Sequence, residues 1–176
     1  MRVLVLGGIR SGKSEWAETV ITASVGAECP VHYLATGAVA DDDAWAARLA
    51  VHRSRRPEHW STVETIDVAT QLRSGDASPT LVDDVGGWLS AAMDRAGAWT
   101  GGSVRGDVDD LVDAVAGSGA ELVLVSPEVG LTVVPETDAG RRFADELGAL
   151  NQRLATLCDR VVLVVAGQPI AVKGPS

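Results

Sequence analysis

Sulfur, positive charge and long apolar runs are all scarce in this chain of 176 residues, and each scarcity closes off a class of protein. Only two cysteines occur, Cys29 and Cys158. They stand far apart without partners at metal-ligand spacing, which excludes a disulfide framework and a structural zinc site and leaves two small buried residues as the reading. Lys and Arg total 15 against 24 Asp and Glu, a net charge of −9. Such a chain repels nucleic acid and anionic membrane surfaces, so a small-molecule partner is expected. The apolar run at Val3 to Leu6 stops at glycines and is too short for a signal segment or a membrane span, and no later stretch is long enough either. A cytoplasmic place is the expectation. Internal repeats, coiled-coil heptads and low-complexity tracts are also missing.

What is present is a single domain's worth of alternating strands and helices over residues 1–176, with 46% hydrophobic residues to build a core. Val3 to Leu6 reads as a strand buried on both faces, and Trp16, Ala17, Val20 and Ile21 recur at helical spacing after Lys13. Further strands are expected over 31–36, 80–83, 121–126 and 160–167. Helices are expected from Asp41 to Arg56, from about Trp88, through Val115, and from Arg141 to Asp159; Gly97 to Gly106 reads as a flexible loop. Strands alternating with helices in this way imply an α/β fold with a mostly parallel sheet covered by helices on both faces. Trp16, Trp45 and Trp88 fall at core positions, and packing or hydrogen-bonding roles are expected for His32 and His59.

The segment Gly7-Gly8-Ile9-Arg10-Ser11-Gly12-Lys13-Ser14 follows a strand and opens a helix, which is the setting a P-loop requires. Its glycines let successive backbone N–H groups turn toward a β-phosphate. Lys13 supplies a point charge to the β- and γ-phosphates, and Ser14 is a candidate Mg²⁺ ligand. Asp83 closes an apolar strand, where a second Mg²⁺-binding carboxylate would stand; Asp84 beside it could take that role, or the pair could cap a helix.

Arg48, His52 and Arg56 are spaced by four, with Arg55 adjacent, so they line one helical face. A basic face in an acidic protein suits an anionic partner, although the same pattern also describes a solvated surface. Neighbouring arginines disfavour a charged imidazole, which would keep His52 neutral and nucleophilic toward an α-phosphate.

Taken together these strings resemble one family, adenosylcobinamide kinase/adenosylcobinamide-phosphate guanylyltransferase. The likeness runs from Val3 to Lys173 through residues 7–14, Tyr33-Leu34-Ala35-Thr36, Arg48 to Glu64, Leu81-Val82-Asp83, Glu128 to Pro135, Arg142-Phe143, Asn151-Gln152 and Val164-Val165-Ala166-Gly167. The resemblance implies a P-loop, RecA-like fold and two reactions: phosphorylation of adenosylcobinamide by a nucleoside triphosphate, ATP or GTP, and transfer of GMP from GTP through a histidine to adenosylcobinamide-phosphate. It implies His52 as the nucleophile, Lys13 as a catalytic cation and Mg²⁺ on Ser14 and Asp83. It also implies nucleotide contacts from Gly7, Gly8, Ile9, Arg10, Ser11, Gly12, Lys13, Ser14, Thr36, Gly37, Arg53, Ser54, Arg55, Arg56, Glu64 and Asp83. Glu64 would read guanine N–H groups. A homo-oligomer such as a trimer, with the corrinoid between chains, is implied as well.

The chain departs from the family pattern in two places. Ser126-Pro127-Glu128-Val129-Gly130, with Thr132 beyond it, stands where the family carries Ser-Asn-Glu-Val-Gly and a Gly-rich approach to Val-Pro. Asp84-Val85-Gly86-Gly87-Trp88 replaces a Cys-hydroxyl-apolar run. Two rival readings stay open on the residues: a P-loop kinase for another small alcohol, and a nucleotide-dependent switch.

Overall fold

The computed structural model describes residues 1–37, 56–74 and 77–174. The elements run β1 (Arg2–Gly7), α1 (Lys13–Val25), β2 (His32–Ala35), β3 (Ser61–Glu64), α2 (Val68–Arg73), β4 (Thr80–Asp83), α3 (Val85–Ala96), a short 3-10 turn (Ala98–Thr100), α4 (Arg105–Gly117), β5 (Leu122–Pro127), α5 (Asp138–Leu157), β6 (Arg160–Val165) and β7 (Gln168–Lys173). Seven strands form one sheet in the order β3-β2-β4-β5-β1-β6-β7. Every pairing is parallel except the antiparallel β6–β7 hairpin.

The sheet is covered on both sides because its strands carry apolar residues at both odd and even positions. Val3, Val5, Tyr33, Leu81, Val123 and Val125 pack with Ala17 and Ile21 of α1 on one face. Leu4, Leu34, Val82, Leu122 and Leu124 pack with Leu89 and Met93 of α3, Leu111 of α4 and Leu147, Leu150 and Leu154 of α5 on the other. Val3, Leu4 and Val5 have no exposed surface at all, and burial of each such side chain contributes roughly 1.5–3 kcal/mol.

All five expected strands are present within a residue or two. Two more are not foreshadowed: β3, whose four residues are all exposed, and β7, whose six residues are exposed on the sheet's far edge. The 97–106 segment is more ordered in form than a flexible loop. It contains the 3-10 turn, a Gly102 N–H donated to the Gly97 carbonyl at 3.0 Å, and Trp99 stacked on Phe143 at 6.1 Å. Trp16 is half-buried and Trp88 buried, as expected of core residues. Trp45 and almost all of the helix expected from Asp41 to Arg56 lie outside the described residues. His32 is half-buried in β2, whereas His59 is exposed.

Candidate functional site: a phosphate cradle and a carboxylate-lined strand edge

Residues 7–14 leave the carboxyl end of β1 and turn directly into α1. Gly8, Ile9 and Arg10 form an exposed arch, with Ile9 94% accessible and Arg10 at φ 56°. Gly12 precedes α1 at φ +90°, and a Cβ there would come 3.2 Å from the Cα of Gly167. Any side chain at this position is therefore both strained and crowded. No side chain caps the helix start, so the N–H groups of its first turn remain directed along the axis. The Nζ of Lys13 lies back over the arch and donates to the Gly8 carbonyl at 3.3 Å. A distant element braces the loop: Ala166 (φ 50°) and Gly167 (φ 76°) form the tight turn of the β6–β7 hairpin, and the Gly167 N–H donates to the Ser11 carbonyl at 2.8 Å.

The Ser14 hydroxyl, in the first turn of α1, donates to Oδ1 of Asp83 at 3.2 Å. Oδ2 of the same carboxylate accepts a hydrogen bond from the Tyr33 hydroxyl. Burial, reinforced by the Asp83 charge, drives the Tyr33 phenol well above its ordinary pKa, so it is held as a proton donor. The guanidinium of Arg56 lies over the Tyr33 ring, 3.4 Å from its centroid, and its Nη1 donates to Thr62 Oγ1 at 3.1 Å. The neighbouring Asp84 has a different task. It N-caps α3, accepting the Gly87 N–H at 2.6 Å, and burial raises its carboxyl above the usual range. Of the two adjacent aspartates, Asp83 faces Ser14 and Asp84 holds the helix.

Parallel register brings other expected residues to the same end of the sheet. Ala35 pairs with Glu64 on one side and with Asp83 on the other, so Glu64 and Asp83 close strands two apart, roughly 10 Å across the sheet. Glu64 is exposed on β3 and joins Arg56, Pro57, Glu58, Trp60 and Thr62 in lining an open cavity of about 610 Å³. Thr36 is buried, its hydroxyl donated to the Asp84 carbonyl, while Gly37 beside it is exposed. His52, Arg53, Ser54 and Arg55 lie outside the described residues.

The two departures from the family pattern meet in space. A Cβ at Gly86 would stand 2.8 Å from Cγ of Pro127, so the proline ring occupies room that any side chain at 86 would need. Behind it, Ser126 Oγ donates to Asn151 Oδ1 at 2.6 Å, and Asn151 Nδ2 donates to the Pro127 carbonyl at 3.0 Å. Together with the Glu128 N–H given to the Gly7 carbonyl at 3.1 Å, these bonds tie the end of β5 to the start of the cradle. Sequence reasoning lists Asn151 and Tyr33 only within matching strings. Their partners lie on other elements, and no local spacing announces them.

A model of the cobinamide kinase / cobinamide phosphate guanyltransferase family matches residues 3–172. The chain is 36% identical over 193 residues to the bifunctional adenosylcobalamin biosynthesis protein CobU of Escherichia coli K12, covering 98% of this chain and all of that protein. It is 40% identical to CobP of Pseudomonas aeruginosa PAO1 over 177 residues, covering 99% and 98% of the two chains. The Salmonella typhimurium LT2 CobU is 37% identical, with 98% and 100% covered. Among solved structures it is similar to a KaiC-like protein from Pyrococcus horikoshii OT3, at 13% identity and a TM-score of 0.49, covering 92% of this chain and 71% of that one. With phosphate-cradle, carboxylate and strand-edge residues assembled at one end of the sheet and the family pattern running almost from end to end, the chain belongs to the cobinamide kinase/cobinamide phosphate guanyltransferase family.

Proposed function

We propose that this protein carries out both reactions of its family, phosphorylating adenosylcobinamide and then converting the phosphate to adenosylcobinamide-GDP through a histidine-GMP intermediate. The observation that carries the reading is the pairing of Ser14 with Asp83 at 3.2 Å beneath a P-loop, within a chain that matches the family over residues 3–172.

In the first reaction the polyphosphate of ATP or GTP lies on the N–H groups of residues 7–14, with Lys13 on the β- and γ-phosphates; the alcohol of the corrinoid's aminopropanol arm attacks the γ-phosphorus, the bond to the β–γ bridging oxygen breaks, the nucleoside diphosphate leaves and the hydroxyl proton passes to solvent. Two oxygen donors, the Ser14 hydroxyl and the Asp83 carboxylate, suit a hard cation such as Mg²⁺. Among the described residues no three His, Cys, Asp or Glu side chains form a group that could hold a metal ion. Mg²⁺ when bound would neutralise charge on those phosphates.

In the second reaction a ring nitrogen of His52 attacks the α-phosphorus of GTP, the bond to the bridging oxygen breaks, and pyrophosphate leaves. A phosphate oxygen of adenosylcobinamide-phosphate then attacks the same phosphorus, the P–N bond breaks, and the imidazole returns to its starting form. Arg53, Arg55 and Arg56 would balance the charge on the α-phosphate and on the leaving pyrophosphate, and Ser54 would contact the nucleotide. Glu64, on the cavity wall, would accept guanine N–H groups, with Thr36 and Gly37 nearby on β2's exit. The exposed apolar side chains of Leu131, Val133 and Val134 follow on the β5 end and offer a surface for the corrinoid ring or for a second subunit. The catalytic unit is the single domain 1–176, acting as a homo-oligomer such as a trimer in the cytoplasm; among the described residues no helix is long and apolar enough to cross a membrane.

Intact mass spectrometry after incubation with GTP and Mg²⁺ tests the covalent step. The wild type should gain an acid-labile GMP, and His52→Ala should not. Nucleotide binding without an adduct on the wild type would leave only a kinase.

A further inference from the structure

Asp83 is held from two directions, and the second holder plays no part in the chemistry described above. Tyr33 stands opposite Leu81 in the β2–β4 register, so Asp83, two residues further along β4, faces the same side of the sheet. That offset is roughly 6–7 Å, a span a phenol can cover, and the Tyr33 hydroxyl reaches Oδ2. The terminal torsion of an aspartate is broad and nearly two-fold, so a carboxylate with one partner can swap its oxygens. With Tyr33 on Oδ2 and Ser14 on Oδ1, the two oxygens have fixed and different neighbours. The ring is itself immobilised: it has no exposed surface, the Arg56 guanidinium covers one face, and Trp60 packs 6.5 Å away. A residue that only filled core volume would not need its polar end aimed at a carboxylate.

We propose that Tyr33 is the positioning residue for the Asp83 carboxylate, holding Oδ2 so that Oδ1 is presented to Ser14 and to the divalent cation that accompanies the nucleotide. The assignment rests on the nucleotide-dependent reading above. It makes the phenol an outer-shell partner of a cation ligand, a class of group whose loss weakens metal affinity about 10- to 100-fold.

Tyr33 is the only tyrosine in the chain, so growth on 3-fluorotyrosine places one fluorine probe on this ring and nowhere else. With ADP already bound, Mg²⁺ should shift the single ¹⁹F resonance further, because the cation draws on the carboxylate to which the phenol donates. Electron paramagnetic resonance should show Mn²⁺ binding to the ADP complex of Tyr33→Phe about tenfold more weakly than to wild type, with ADP affinity in EDTA unchanged. A resonance insensitive to Mg²⁺, together with equal Mn²⁺ affinity in the two proteins, overturns the assignment. If Tyr33→Phe does not fold, the fluorine shift on the otherwise unchanged chain decides alone. Failure of the wild type to bind Mn²⁺ with ADP would instead strike the nucleotide-dependent reading itself, and this inference with it.

Discussion

The cradle at the centre of the sheet and the cavity at its β3 edge bind, in our reading, parts of one nucleotide, yet they are built on opposite plans. The cradle is backbone. Its shape is fixed by Gly12 at φ +90°, by the Gly167 N–H on the Ser11 carbonyl and by the Glu128 N–H on the Gly7 carbonyl, and Val3, Leu4 and Val5 of the strand that leads into it are fully buried. The edge is side chain. Arg56, Trp60, Thr62 and Glu64 project from an exposed strand and the turn before it. Phosphates are alike in every nucleotide and suit invariant N–H groups, whereas bases differ and need side chains that can accept or refuse them.

Removing the charge from the cradle is the strongest way to break this division. Lys13→Ala should lower kcat by about 10²–10³-fold in phosphate transfer and in guanylylation alike, measured with labelled γ- and α-phosphate, because both reactions pass a polyphosphate through the same loop. Persistence of guanylylation would mean that the edge holds phosphates independently. A smaller effect is expected from Gly12→Ala, which forces a β-carbon into the left-handed region against Gly167. Strain of about 1–3 kcal/mol should weaken ADP binding roughly tenfold by calorimetry. Glu64→Gln should sharpen the comparison from the other side. Replacing a charged acceptor by a neutral one should reduce the preference for GTP over ATP by about tenfold or less, with ATP-dependent phosphorylation unaltered.

These two plans were not equally visible in the sequence. The cradle announces itself because glycines, a lysine and a serine sit at fixed offsets between a β-branched run and a helical period, all within residues 1–25. The five internal strands are legible for a similar reason: burial on both faces demands continuous apolar runs. β3 carries no such demand, since Ser61, Thr62, Val63 and Glu64 are all exposed, and it is a strand only because β2 offers an unpaired edge. β7 contains Pro169, and its apolar residues Ile170, Ala171 and Val172 all stay exposed, so no demand for burial shaped its sequence; it is an edge strand defined by its hairpin. Register explains the rest. Asp83 could be read as a strand-end carboxylate, but whether it or Asp84 meets Ser14 depends on which side of β4 each faces, and Tyr33's bond to Asp83 depends on a β2–β4 alignment that no local pattern encodes.

The bond from the Gly167 N–H to the Ser11 carbonyl also orders events in time. β1 lies between β5 and β6, so on a ribosome the loop motif emerges early but its strand has no neighbours until residues 122–165 have followed. The hairpin turn that braces the arch comes later still. A nascent or prematurely terminated chain that stops short of Gly167 therefore has the motif without the flanking strand partners and turn that hold the arch in shape.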